Sequence, residues 1–233
     1  MNTAMVNGYE HNGRIYKSPV GQIPKIVNNF KPATDNQKIL YNKISDFNNQ
    51  LILCHGIAGT GKTYVSVYKA LQDVLRRGTP YNRLIIINPT VDVGNEDKLG
   101  YLPGELDKKI QQYNESTFTI LDSIVGKGKS QKLIADGKVQ VGVLNFLRGV
   151  NLDECYVILD EAQNVSPMQV KTLITRINGD CKMIIQGDMS QCDKYKANGT
   201  VAYEKSGFYD LWFRLKEMKG VAHHAFTRED CIR

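Results

Sequence analysis

The sequence predicts a three-layer α/β fold with a mainly parallel central sheet, and three observations predict it. Short apolar runs of strand length alternate along the chain with stretches of helical periodicity. Those runs are almost continuously hydrophobic, as strands covered on both faces must be. The first of them leads directly into a glycine-rich turn and then a helix, the local order from which phosphate-binding loops are built.

Residues 1–31 are rich in Asn, Gly, Lys and Pro and show no long amphipathic pattern, so they read as an extended N-terminal arm before a domain of residues 32–233. Ile39, Leu40, Ile44 and Phe47 recur at helical spacing and predict a helix over 34–47, capped by Thr34 or Asp35. Leu51–His55 is a buried strand. A helix from Lys62 to about Arg76 follows, ended by Gly78 and Pro80. Leu84–Asn88, Val139–Val143, Tyr156–Leu159 and Lys182–Gln186 are further strands, and Val221–Phe226 is an edge strand. Pro167 with Met168–Ile174 indicates a helix after the fourth strand. Lys127-Gly128-Lys129-Ser130 reads as a short, basic, flexible run. Trp212, among Leu211, Phe213 and Leu215, belongs to the core or to a contact between subunits.

Composition limits the function classes. A chain of 233 residues suits one α/β domain, and 42% hydrophobic with 23% charged residues is ordinary for a globular protein. No apolar run reaches the roughly 18–20 residues of a membrane span. Met1–Glu10 lacks the apolar core of a secretory signal, so the expected location is the cytoplasm, without membrane attachment. Five scattered cysteines without a C-x-x-C pair point to reduced thiols, with Cys54 and Cys155 in buried strands. His223 and His224 are adjacent on a strand and so face opposite ways, which suits structural roles better than a shared metal. A net charge of +6 permits a polyanionic partner and equally describes a solvated basic surface. Lys127, Lys129 and Lys132, with Lys108 and Lys109 upstream, could follow a phosphate backbone, but no closely spaced aromatics interleave with them.

Three segments carry chemistry. Gly56-Ile57-Ala58-Gly59-Thr60-Gly61-Lys62-Thr63 fits G-x-x-x-x-G-K-[ST] without a mismatch. Glycines let the backbone curl until successive N–H groups point at phosphate oxygens, and the following helix directs its positive end to the same place. Lys62 would neutralise the β- and γ-phosphates of ATP, and Thr63 would offer its hydroxyl to Mg²⁺. Asp160 and Glu161 end an apolar strand. Asp160 can hold Mg²⁺ beside Thr63, and Glu161 can polarise the attacking water. Taken alone, the pair would serve equally well as caps of the next helix; a phosphate loop upstream favours the catalytic roles. Gln186, at the end of a third strand, would face the γ-phosphate if that strand neighbours the loop's own.

Together these segments resemble the PhoH-like family of P-loop ATPases, itself similar to the first RecA-like domain of superfamily-one helicases. The resemblance runs from about Pro32 onward. It rests on the loop, Leu99-Gly100-Tyr101-Leu102-Pro103-Gly104, Phe146-Leu147-Arg148-Gly149 and Leu159-Asp160-Glu161-Ala162-Gln163-Asn164. Leu173-Ile174-Thr175-Arg176-Ile177 and Gln186-Gly187-Asp188 with Gln191 complete it. It implies a RecA-like sheet and an ATPase acting on RNA or single-stranded nucleic acid. By the helicase analogy, Gln37 would read the adenine edge through its side-chain amide. Asn88-Pro89-Thr90 departs from the Arg-Pro usual after the second strand, which puts any phosphate contact of that arginine in doubt. One RecA-like domain cannot enclose a nucleotide from both sides, so an arginine opposite the γ-phosphate must come from this chain or a neighbour. Arg148, Arg176, Arg228 and Arg233 are candidates, the first two within family-like segments. The resemblance therefore also implies a homo-oligomer, a ring being one form. A nucleoside kinase and a slow nucleotide-gated scaffold remain open as alternatives to a nucleic-acid-dependent ATPase.

Overall fold

The computed structural model describes residues 8–11, 14–17, 27–89, 105–144, 152–177, 179–192, 196–197, 200–201 and 205–232. Thr90, the segments Leu99–Gly104 and Phe146–Gly149 with Arg148, and Arg233 lie outside the described residues. So do the side chains of Lys108 and Lys109.

In chain order the elements begin with β1 (Gly8–His11) and β2 (Arg14–Lys17), an antiparallel pair within the segment read as an extended arm. Contact with the body begins before residue 32. Val27 is buried, Asn28 N–H donates to Ile124 O at 2.9 Å, and Phe30 packs on Tyr64 and Tyr68. Helix α1 (Asp35–Ser45) starts at the Thr34 cap, whose hydroxyl accepts from Gln37 N–H, and buries Gln37, Leu40 and Ile44 along one stripe. It stops two residues earlier than the periodicity predicts. Asp46 turns to an extended backbone, and the Lys43 carbonyl that a helical Phe47 N–H would need accepts from Asn49 Nδ2 at 3.0 Å instead. The Lys182 ammonium donates to the carbonyls of Ile44 and Asp46 at 2.6 and 2.8 Å.

Next come β3 (Leu51–His55), α2 (Lys62–Val74) and β4 (Arg83–Asn88), then α3 (Glu105–Val125), α4 (Lys129–Ala135) and β5 (Val139–Val143). The basic run read as flexible is therefore a helix start. Gly128 caps α4, and the Ser130 hydroxyl bonds Asp122 across the turn from α3. The remainder is β6 (Cys155–Leu159), α5 (Pro167–Ile174), β7 (Lys182–Gly187), the short pair β8 (Lys196–Ala197) and β9 (Thr200–Val201), α6 (Gly207–Arg214) and β10 (Val221–Ala225). Helix α5 opens with the expected proline behind a Ser166–Gln169 capping box.

Six strands form one fully parallel sheet in the order β10-β3-β7-β6-β4-β5. Alternate residues of each strand serve opposite cores. Ile52, Cys54, Leu84, Ile86, Ile158 and Ile184 pack with α1–α4, while Leu53, Ile85, Ile87, Val157, Leu159, Met183 and Ile185 pack with α5 and α6. Positions in the middle of the central strands are thus covered on both faces and apolar, which is why those strands read as unbroken runs. Trp212 belongs to the second core, edge-on to His55 and His223. His223 and His224 do face opposite ways: His223 meets Trp212 O at 3.1 Å, whereas His224 packs edge-on against Phe226. Among the described residues, no helix is long and apolar enough to cross a membrane.

Candidate active site

The carboxyl ends of β3, β6 and β7 converge, and the chemistry-bearing residues sit there. From His55 the chain turns through Gly56–Gly61 into α2. Gly61 caps that helix at φ 84°, in the left-handed region, and a Cβ on it would stand 2.7 Å from Gln37 Nε2. The Thr60 hydroxyl fixes the loop by donating to Ile57 O at 3.0 Å. Lys62 folds back over the turn, its ammonium donating to Gly56 O at 2.6 Å and Ile57 O at 2.8 Å. A cation is thus held over a loop that opens at a helix N-terminus, where anions are favoured.

Strand β7 lies between β3 and β6, so Gln186 stands beside the loop's own strand, as its expected role required. It joins the two flanking elements directly. Its Nε2 donates to Thr63 Oγ1 and to Asp160 Oδ1, each at 2.9 Å, and its Oε1 accepts from Ser66 Oγ at 2.9 Å. The Thr63 hydroxyl donates to Asp160 Oδ2 at 2.9 Å. Thr63, Asp160 and Gln186 therefore close a ring of hydrogen bonds, with Gln186 fully buried beneath it.

Glu161 follows at φ 50°, a left-handed conformation that costs a non-glycine residue roughly 1–2 kcal/mol and turns the chain sharply after β6. The residue is exposed, yet protein crowds one side of its carboxyl group. That partial desolvation, and then the charge of Asp160, raise its pKa, opposed by the Gln163 hydrogen bond and Lys62. Asp188, just beyond β7, accepts from Ser190 N–H and hydroxyl through Oδ1, while its buried Oδ2 has no hydrogen-bond partner among the described residues. His55, at the end of β3, accepts from Met189 N–H at 3.3 Å. Burial lowers its pKa, against the pull of Asp188.

Of the other expected residues, Gln37 and the segment bearing Arg228 meet the loop, and Arg176 lies apart from it. Gln37 is buried and not on a solvent face; its amide accepts from Ala33 N–H at 2.8 Å and donates to Thr60 O at 3.0 Å, tying α1 to the loop. One N–H and one lone pair remain on that amide. Arg176 is not brought to its own chain's loop. Its carbonyl bonds Leu152 N–H, before the start of β6, so the residue lies about one strand length, ~16 Å, from the loop end of the sheet. Arg228 is exposed on the segment after β10, which packs against the loop. In that segment Phe226 touches Gly56, and Ile232 N–H donates to Gly59 O at 3.3 Å.

Sequence reading gave no role to Ser66, Asp188, His55 or Gln163. Ser66 was findable from its spacing, one helical turn beyond Thr63 on the same face. The other three acquire their positions only through strand neighbours remote in sequence.

A family model described as "PhoH-like protein" matches residues 29–233. A PhoH-like protein of Bacillus subtilis (strain 168) is 37% identical over 185 residues, covering 79% of this chain and 55% of the relative. The protein PhoH of Escherichia coli (strain K12) is 32% identical over 186 residues, covering 79% and 50%. The chain thus spans about half the length of these curated relatives. Among solved structures, the large terminase of a thermophilic bacteriophage aligns with a TM-score of 0.51 at 14% identity, covering 86% of this chain and 47% of that one, a likeness of fold. With the family model spanning its whole body and two relatives above 30% identity, this chain belongs to the PhoH-like protein family.

Proposed function

We propose that the chain binds ATP with Mg²⁺ at the Gly56–Thr63 loop, hydrolyses it, and couples hydrolysis to binding or remodelling RNA or single-stranded nucleic acid. The observation that carries the reading is the meeting of Thr63, Asp160 and Gln186 at the loop's mouth. Thr63 Oγ1 and Asp160 Oδ2 are hard oxygen donors within 2.9 Å of each other, a donor set that fits Mg²⁺. Held by Thr63 and Asp160, the ion would supply Lewis-acid stabilisation of the charge that develops on the phosphates. The loop amides and Lys62 bind and orient the polyphosphate. Glu161 aligns water for attack on the γ-phosphorus and takes its proton as the bond from phosphorus to the β–γ bridging oxygen breaks, leaving ADP and phosphate. Gln186, bonded to both Thr63 and Asp160, registers the γ-phosphate.

An arginine opposite the γ-phosphate accelerates such reactions by about 10³–10⁵. Arg176, remote from its own loop, would supply that group to a second copy in a homo-oligomer, whereas Arg228 lies on a segment that packs against the loop of its own chain.

Steady-state turnover with and without RNA or single-stranded DNA tests the reading. Lys62→Ala and Glu161→Gln are expected to lower kcat at least ~100-fold and to abolish stimulation by polymer. Undiminished turnover in both variants sinks the proposal. Stoichiometric phosphate transfer to a nucleoside would identify a kinase instead, and slow turnover indifferent to polymers a nucleotide-gated scaffold.

A further inference from the structure

Gln163 is buried between the two acids' turn and the end of β7, 1% exposed, and both ends of its amide are engaged. Its Nε2 donates to Glu161 Oε2 at 2.7 Å, and its Oε1 accepts from Asp188 N–H at 3.0 Å. One side chain therefore ties the carboxylate that follows β6 to the backbone that follows β7. Space for it comes from Gly187, where a Cβ would stand 2.5 Å from Gln163 Oε1 and 3.0 Å from Gln163 N. Its own backbone is pinned as well, since Gln163 O accepts from the buried Cys192 thiol.

The chemistry of the position is specific. The side chain must donate to a carboxylate and accept from an amide at the same time. Ionised glutamate can only accept, and methionine of similar length cannot donate and accepts only weakly. Glu161 needs such a partner. It is exposed at a left-handed turn, and among the described residues Gln163 supplies the side-chain hydrogen bond that its carboxylate receives. Without that bond, rotation about three side-chain torsions would carry the carboxylate away from the line of attack.

We infer that Gln163 is a positioning residue for hydrolysis: it holds the Glu161 carboxylate against the Gly187–Asp188 turn, so that the base and the end of β7 move as one unit. The inference rests on the hydrolysis reading above. It goes further by assigning a role to a residue that touches neither phosphate nor water.

The test uses the full chain and measures kcat, KM for ATP and nucleotide affinity. The variants are Gln163→Met, Gln163→Glu, Gly187→Ala, Glu161→Gln and the double variant Gln163→Met with Glu161→Gln. A carboxylate displaced by about 1 Å costs on the order of 100-fold in rate. Gln163→Met is accordingly expected to lower kcat about 10- to 100-fold with KM and affinity within about threefold of the parent. Gln163→Glu, which keeps the acceptor and repels the base, is expected to be no better. Gly187→Ala pushes the amide aside from the neighbouring strand and should act in the same direction, so the test does not hang on the folding of one variant.

The double variant separates positioning from general support of the fold. If Gln163 acts through Glu161, adding Gln163→Met to Glu161→Gln costs less than about threefold further. Losses that simply multiply, or full kcat in Gln163→Met, Gln163→Glu and Gly187→Ala alongside an inactive Glu161→Gln, overturn this inference and leave the hydrolysis reading standing. Undiminished kcat in Glu161→Gln overturns both.

Discussion

Gly61 shows how much a single residue of this site decides. It must hold a left-handed backbone at φ 84° and also leave room for the Gln37 amide. Alanine there carries the left-handed penalty of about 1–2 kcal/mol and drives a methyl group into Gln37 Nε2. Gly61→Ala is therefore expected to lower the urea midpoint and to weaken nucleotide binding at least ~10-fold, measured by titration with a fluorescent ATP analogue. Wild-type affinity would show that the loop tolerates the added carbon. At this scale the sequence was informative where chemistry is local. Gly56, Ile57, Ala58, Gly59, Thr60, Gly61, Lys62 and Thr63 are contiguous, and their spacing alone prescribes a curled loop before a helix. Gln37 was harder: the helicase analogy suggested a contact with the adenine edge, and its second task, bracing α1 against the loop through two intramolecular hydrogen bonds, came only with the fold.

Among elements, the edge strand β10 carries a pH dependence that composition does not reveal. Burial pushes His224 down to about 4, with Lys43 of α1 acting in the same sense and the Asn36 backbone and Asp230 opposing. Between pH 6.5 and 4 the unfolded chain binds a proton on this ring that the folded chain refuses. Stability from this group is therefore full above 6.5 and declines as the pH falls toward 4. Urea denaturation at pH 7 and pH 4.5 should show a smaller acid loss in His224→Phe, which keeps an aromatic ring against Phe226, than in the parent chain. An identical loss in both would remove His224 as a contributor. The central strands were legible because burial on both faces writes a continuous apolar run. Helices α3 and α4 were not, since the glycines around Lys127–Ser130 resemble a flexible link until Gly128 is seen as a cap.

For the whole molecule, sheet order is the decisive feature. Because β7 lies between β3 and β6, the loop and the acidic pair are not on neighbouring strands, and Gln186 fills the gap between them. The same sheet puts Arg176 at its opposite end, so this arginine could serve a nucleotide only on a second copy. Light scattering with ATP and Mg²⁺ is expected to show an assembly larger than a monomer, in step with turnover. A fully active monomer would remove the oligomeric part of the proposal.

By itself the sequence determined which segments become the six strands of the central sheet, where the phosphate loop lies and which acids end a buried strand. Each of these is written in spacing over fewer than about a dozen residues, through period, caps and glycines. Tertiary structure alone decided that Thr63 would meet Asp160 across 97 positions, and that Gln163 would join Glu161 to Asp188. Strand order follows from how helices cross over and pack on the sheet, a balance of contacts summed over the whole body that no local pattern of residues records.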